Sequence, residues 1–150
     1  MKVIYAENKK ATFNYEVLEK YEGGLSLLGL EVKAVKSKKA NLEGSYIVVR
    51  GGEVFLVNAT IQPYQMNNTP KEYDPVRVRK ILITKKELKE LVGADNKNGL
   101  TLIPISLYNK GNKIKLEFAL ARGKKKTDKR ETIKARESKR EIERTLKNQR

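Results

Sequence analysis

The sequence predicts a mainly β protein that closes as a small antiparallel barrel, carries two or three short helices and ends in a basic tail. Three observations predict this. Apolar and polar residues alternate in several stretches, the period of two that a strand with one buried face requires. A glycine pair, Gly51-Gly52, separates two β-branched runs. Charge is also uneven: of the net +15, from 33 Lys and Arg against 18 Asp and Glu, residues 123–150 carry +7, with 12 basic and 5 acidic side chains. That segment has no aromatic residue, and its apolar side chains are Ile133, Ala135, Ile142 and Leu146, too few to offset the entropy of ordering it. The chain is therefore expected to divide into a body, residues 1–122, and a tail, residues 123–150, that is disordered when free.

Along the body, Phe13, Tyr15 and Val17 alternate with Thr12, Asn14 and Glu16, which predicts a first strand over 11–18. Tyr21-Glu22-Gly23-Gly24 reads as a turn, and 25–30 fits strand or helix. Val32 and Val35, three apart among Lys33, Lys36, Lys38 and Lys39, predict a short helix. Residues 46–49 and 54–61 form a hairpin across Gly51-Gly52, because both glycines tolerate positive φ. Residues 62–76, with Pro63, Pro70 and Pro75, make a long loop of the kind usually found where something is bound. A strand follows over 77–83; then Thr84 and Glu87 form a capping box before Leu88, Leu91 and Val92, and Gly93 ends that helix. Pro104 places the strand over 100–108 at an edge or a bulge. Ile114, Leu116, Phe118 and Leu120 alternate in a last strand. Six or seven strands in this length favour closure, which removes exposed edges; the small Greek-key barrel of the OB type is a common platform for oligonucleotides.

Composition narrows the chemistry. No Cys and no His occur, which removes thiolate nucleophiles, the commonest general base and most zinc sites. No metal, cofactor or catalytic motif is legible, so no enzyme is expected. No window approaches the roughly 18 apolar residues of a membrane span, and Met1 to Glu7 do not read as a secretory signal, so a cytoplasmic monomer is expected. The net charge favours a polyanionic partner. Candidate phosphate contacts are Asn8, Lys9 and Lys10; Lys33 and Lys36; and Arg77, Arg79 and Lys80, where Arg77 and Arg79 alternate onto one strand face. The ordinary alternatives are solvated faces and, for the arginines, pairing with Glu72 and Asp74. Tyr46, Tyr64 and Tyr73 are candidates for base stacking, although Tyr46 sits within a strand and fits core packing better.

Read in order, Asn8-Lys9-Lys10-Ala11, Tyr21-Glu22-Gly23-Gly24, Gly29-Leu30-Glu31-Val32-Lys33, Lys39-Ala40-Asn41-Leu42 with Ser45-Tyr46, Arg77-Val78-Arg79-Lys80-Ile81-Leu82-Ile83, and Gly123-Lys124-Lys125 with Asp128-Lys129-Arg130 closely resemble the SsrA-binding protein family, also called small protein B. The resemblance spans nearly the whole chain. It implies an OB-like barrel without enzymatic activity or cofactor that binds the tRNA-like domain of transfer-messenger RNA and delivers it to stalled ribosomes in trans-translation. It also implies RNA-binding roles for Glu22, Leu82 and Lys115, with Asn8 and nearby basic positions as further candidates.

For the tail, the resemblance implies entry into the empty message channel and folding there as a helix, led in by Gly123, Lys124, Lys125, Asp128, Lys129 and Arg130 beside small-subunit RNA at the decoding site. Ile142 and Leu146, four apart, would share one face of that helix. Thr127 departs from the family, which commonly carries an aromatic residue or His before the Asp. A second reading, a ribosomal or initiation-factor-like OB protein, shares the charge and the barrel. An OB-type nuclease would need converging carboxylates around a metal, and the acidic residues here are scattered.

Overall fold

The alternating stretches pair into one antiparallel sheet in the computed structural model, which describes residues 2–65, 67, 69–95 and 99–123. In chain order the elements are β1 (Ile4–Glu7), α1 (Lys9–Asn14), β2 (Tyr15–Leu25), α2 (Gly29–Lys36), β3 (Ala40–Asn41), β4 (Tyr46–Arg50), β5 (Glu53–Val57), β6 (Thr60–Ile61), β7 (Arg79–Leu82), α3 (Lys85–Asp95), β8 (Leu100–Lys110) and β9 (Lys113–Gly123). Seven strands pair in the order β1-β8-β9-β2-β7-β5-β4, and β3 pairs with β6 alone. The three long strands β8, β9 and β2 form the centre of the sheet.

One face of the sheet builds the core. Tyr21 and Leu25 of β2, Ile81 of β7, Leu56 of β5, and Leu116 and Phe118 of β9 are buried there, beneath Ala34 and Val35 of α2. The Tyr21 and Phe118 rings stack at 5.6 Å between centroids. The opposite, outer face carries a smaller cluster where Ala11 of α1 packs on Ile103, Ala119 and Ala121.

The hairpin, the helix at α2, the long loop, the capped α3 and the final strand fall where the pattern places them. Gly51 and Gly52 take φ of +60° and +74°. Glu87 donates its backbone N–H to Thr84 Oγ1 at 3.2 Å, one half of a capping box, and the Thr84 hydroxyl donates to Glu87 Oε1 at 2.9 Å. Pro104 lies where the β8–β9 register shifts, beyond the reach of β1, whose pairing with β8 ends at Ser106.

Other expectations need correction. Residues 9–14 are helical rather than a strand, because burial of Ala11 on the outer face outweighs a short alternation. Tyr21 to Gly24 do not turn; β2 runs straight through them, paired to β9 on one side and at Gly24 to β7 on the other. The run over 54–61 breaks at Asn58, which has φ of +64°, and α3 continues past Gly93 to Asp95. The hydrogen-bonded ladder is open: among the described residues no pairing joins β1 to β4, although β4 lies beside β8. No helix of the described residues is long and apolar enough to cross a membrane.

Candidate nucleic-acid interface

Antiparallel register brings distant residues into one row across the outer face. Tyr108 pairs with Lys115, Lys115 with Gly24, and Gly24 with Leu82, so β8, β9, β2 and β7 each contribute one position. Gly24 lies between Leu82 and the Lys115 ammonium: a Cβ there would sit 3.6 Å from Leu82 Cβ and 3.8 Å from Lys115 Nζ. Leu82 is 53% exposed, which is unusual for a central-strand leucine and corrects any reading of it as core. The Lys115 ammonium makes no hydrogen bond or ion pair among the described residues.

Glu22 lies one step along β2, opposite Glu117. Its carboxylate accepts from the Tyr108 hydroxyl and from Lys110 Nζ, the latter at 2.8 Å. The Lys110 and Tyr108 hydrogen bonds hold the carboxyl below its ordinary range. Burial, and then the Glu22 hydrogen bond, push the Tyr108 hydroxyl up, so it stays a donor at neutral pH. Lys2 Nζ lies 4.1 Å from the Tyr108 ring centroid, and Lys20 Nζ is 3.5 Å from Glu117 Oε1. Glu22, Leu82 and Lys115, 93 residues apart from first to last, thus share one basic face with an aromatic ring. Tyr108 and Lys110 were not singled out from the sequence, although their spacing of two puts them on one side of a strand.

Arg79 belongs elsewhere. Its side chain has no exposed surface, which corrects the phosphate role expected of it. Nε and Nη2 donate to Glu31 Oε2 at 2.8 and 2.6 Å, Nη1 donates to the Ala59 carbonyl at 2.6 Å, and Nη2 also reaches the Pro75 carbonyl at 3.0 Å. Arg77 donates to Glu31 Oε1, which also takes the Leu28 backbone N–H at 2.9 Å. The two arginines do point the same way, but toward a carboxylate on α2 and not toward Glu72 or Asp74. Tyr73 is committed to the same cluster; its hydroxyl donates to the Ile61 carbonyl at 2.8 Å. Although burial pushes Glu31 up, Arg77, the Leu28 N–H and Arg79 together hold it below the usual carboxylate range.

The remaining candidates are dispersed. Asn8 is buried and donates from Nδ2 to the Pro104 carbonyl at 3.1 Å, which is a structural role. Lys9 is exposed, and Lys10 Nζ pairs with Glu43 at 2.6 Å. Lys33 and Lys36 are exposed on α2, on the core side of the sheet, so they do not join the outer row. Lys80 lies on the strand of Leu82 and pairs with Glu53 at 3.0 Å, both groups half exposed. Tyr46 is 49% exposed rather than in the core. Gly123, the last described residue of β9, pairs with Tyr15. Lys124, Lys125, Asp128, Lys129, Arg130, Ile142 and Leu146 lie outside the described residues.

A sheet face that gathers lysines and an exposed aliphatic side chain has the character of a β-sheet RNA-binding protein. The family model described as SmpB protein matches residues 5–148. The SsrA-binding protein of Thermosynechococcus vestitus is 46% identical over 144 residues, covering 96% of this chain and 95% of that one. That of Gloeobacter violaceus is 48% identical over 143 residues, covering 95% and 93%. A solved structure described as "tmRNA-SmpB: a journey to the center of the bacterial ribosome" superposes with a TM-score of 0.66 at 41% identity, covering 80% of this chain and 84% of that chain. The chain belongs to the SmpB protein family.

Proposed function

We propose that the chain binds transfer-messenger RNA through the outer face of β2, β7 and β9 and acts with it on stalled ribosomes. The observation that carries this is the meeting of Glu22, Leu82 and Lys115 on one sheet face in a chain of this family. Relatives named SsrA-binding protein, and a solved structure named for tmRNA, SmpB and the ribosome, support the partners. In this reading the Lys115 ammonium, without a hydrogen bond or ion pair among the described residues, takes a phosphate. Glu22, held by Tyr108 and Lys110, accepts hydrogen bonds from a base edge or a ribose hydroxyl, and Leu82 packs on a base or sugar. No reaction is catalysed, and the protein works in the cytoplasm as a monomer. In this reading the fold is an OB-like barrel whose closure rests on β4 packing beside β8, which supports it without a closing ladder. The tail, from Lys124 on, enters the empty message channel and becomes helical there.

The test is capture of the full chain from cells followed by sequencing of the bound RNA. Enrichment of one structured RNA with a tRNA-like end supports the proposal; a general ribosomal RNA profile without it favours a ribosomal or initiation-factor-like protein. Lys115→Ala should weaken binding and flatten the slope of log affinity against log salt by about 0.7 to 0.9, the signature of one lost phosphate contact. Glu22→Gln should weaken binding with the slope unchanged, because a carboxylate releases no counterion.

A further inference from the structure

On the outer face Glu117 of β9 lies directly opposite Glu22 of β2, so two carboxylates confront each other across the ladder where lysines otherwise gather. Opposed like charges destabilise a sheet, because such side chains lie about 4.5 to 5.5 Å apart at Cβ. The two are answered unequally. Glu22 accepts from Lys110 Nζ at 2.8 Å and from the Tyr108 hydroxyl, whereas the Glu117 carboxylate has Lys20 Nζ, at 3.5 Å, as its one partner among the described residues. That lysine is 65% exposed, and a pair so hydrated contributes little. Stability alone gives no reason for a carboxylate here.

Side chains two apart on a strand share a face. On the outer face β2 presents Lys20, Glu22 and Gly24, and β9 presents Lys115, Glu117 and Ala119, with Lys20 opposite Ala119 and Lys115 opposite Gly24. The carboxylate pair therefore interrupts a line of lysines. Lys115 lies on one side of it, and Lys20, about 13 Å along the strand, lies on the other. Without Glu117 the track would run on, and a flexible RNA strand drawn by a net charge of +15 could lay its phosphates along it. With Glu117 in place a crossing phosphate meets two like charges, and Lys20 is held by one of them.

We infer that Glu117 is a specificity-determining residue, which with Glu22 rejects RNA held by its phosphates alone. An RNA folded so that a base edge or ribose hydroxyl sits over Glu22 brings its own donor to the pair and keeps its backbone at the Lys115 end. An unstructured strand offers no donor at a fixed place. Repulsion of wrong partners is a means of specificity that a strongly basic chain needs, since its net charge attracts every polyanion. This role rests on the reading that the outer face binds transfer-messenger RNA, and it adds to Glu22, Leu82 and Lys115 a residue that acts by exclusion.

The test measures affinity of the full chain for two probes, the tRNA-like fragment of transfer-messenger RNA and a poly(U) strand of equal length. Glu117→Gln should raise affinity for poly(U) about threefold, the order expected from removing one like charge about 7 Å away in water. Its salt slope should steepen by about 0.7, because the released Lys20 gains a phosphate. Affinity for the tRNA-like fragment should stay nearly unchanged, and the thermal midpoint should not fall, as it would if Glu117 served the fold. Glu90→Gln, which removes the same charge from an exposed position on α3, should leave the ratio of the two affinities as it is. An unchanged poly(U) affinity, an equal gain for both probes, or an equal shift of the ratio by Glu90→Gln overturns the role of Glu117. Lys115→Ala, assayed alongside, separates that failure from failure of the outer face, since only the latter leaves its affinity for the tRNA-like fragment intact.

Discussion

A carboxylate with no exposed surface persists only if its charge is answered, and Glu31 has Arg77, Arg79 and the Leu28 N–H to answer it. Removing one partner of such a set leaves buried charge uncompensated. Glu31→Gln is therefore expected to destabilise the fold by about 3 to 5 kcal/mol in urea titration. The same contacts fix a pH dependence. The folded Glu31 carboxyl titrates below its ordinary value of 4.5, so the unfolded chain binds the proton first as pH falls. The stabilisation is full above that ordinary value and is lost as pH drops toward the folded one. A plot of unfolding free energy against pH should decline below about pH 4.5, and Glu31→Gln should flatten that decline, leaving the share contributed by Glu22. The period of two placed Arg77 and Arg79 on one face correctly. Their partner, 46 and 48 residues away, has no local signal, because a buried pair is set by how α2 docks and not by spacing along either strand. Glu22, Leu82 and Lys115 were reachable only through resemblance, since their register is a property of three paired strands.

Two glycine pairs in this chain serve opposite ends. Gly51-Gly52 adopts positive φ and turns, whereas Gly23-Gly24 lies inside β2, where a Cβ at Gly23 would sit 2.6 Å from Ile81 Cγ2 and 2.9 Å from Ile83 Cγ2. Gly23 is small so that β7 can close on β2. Gly23→Ala should thus cost about 1 to 3 kcal/mol by overpacking, read as a lower thermal midpoint. Gly24→Ala meets only ordinary contacts, at 3.6 and 3.8 Å, on the other face. It should change stability by no more than about 0.5 kcal/mol, yet weaken RNA binding by placing a methyl between Leu82 and Lys115. Stability and binding separate at adjacent residues because side chains of a strand alternate between faces. The dipeptide alone cannot say which kind of glycine it holds: composition marks both pairs as turns, and only the approach of β7 distinguishes them. The first alternation, over 11–18, misled for a related reason, since Ala11 and Phe13 of α1 share that pattern with Tyr15 and Val17 of β2.

At the scale of the molecule the question is whether body and tail are separable. Gly123, the last described residue, still pairs with Tyr15 in β9, one residue past the boundary that charge suggests. Beyond it the apolar side chains are Ile133, Ala135, Ile142 and Leu146, and 12 of the remaining residues are basic. Truncation after Gly123 removes only these few apolar side chains, so the thermal midpoint should move by less than about 2 °C. Capture of transfer-messenger RNA should survive, with some affinity lost because nonspecific phosphate attraction from the tail is gone. Under the proposed role of the tail, peptide tagging on stalled ribosomes should collapse, since nothing would then occupy the message channel. Isolated helices of this length are marginal, and pairs such as Glu143 with Lys147 contribute only about 0.2 to 0.5 kcal/mol each, so the proposed helix needs its ribosomal surface. Replacing Ile142 and Leu146 with Gly should then spare RNA capture and impair tagging, while Ala at both, which keeps helix propensity, should do less harm. Tagging at the full rate by the truncated protein would remove the tail from the mechanism, and a truncated body that fails to fold would show that residues past Gly123 belong to the core.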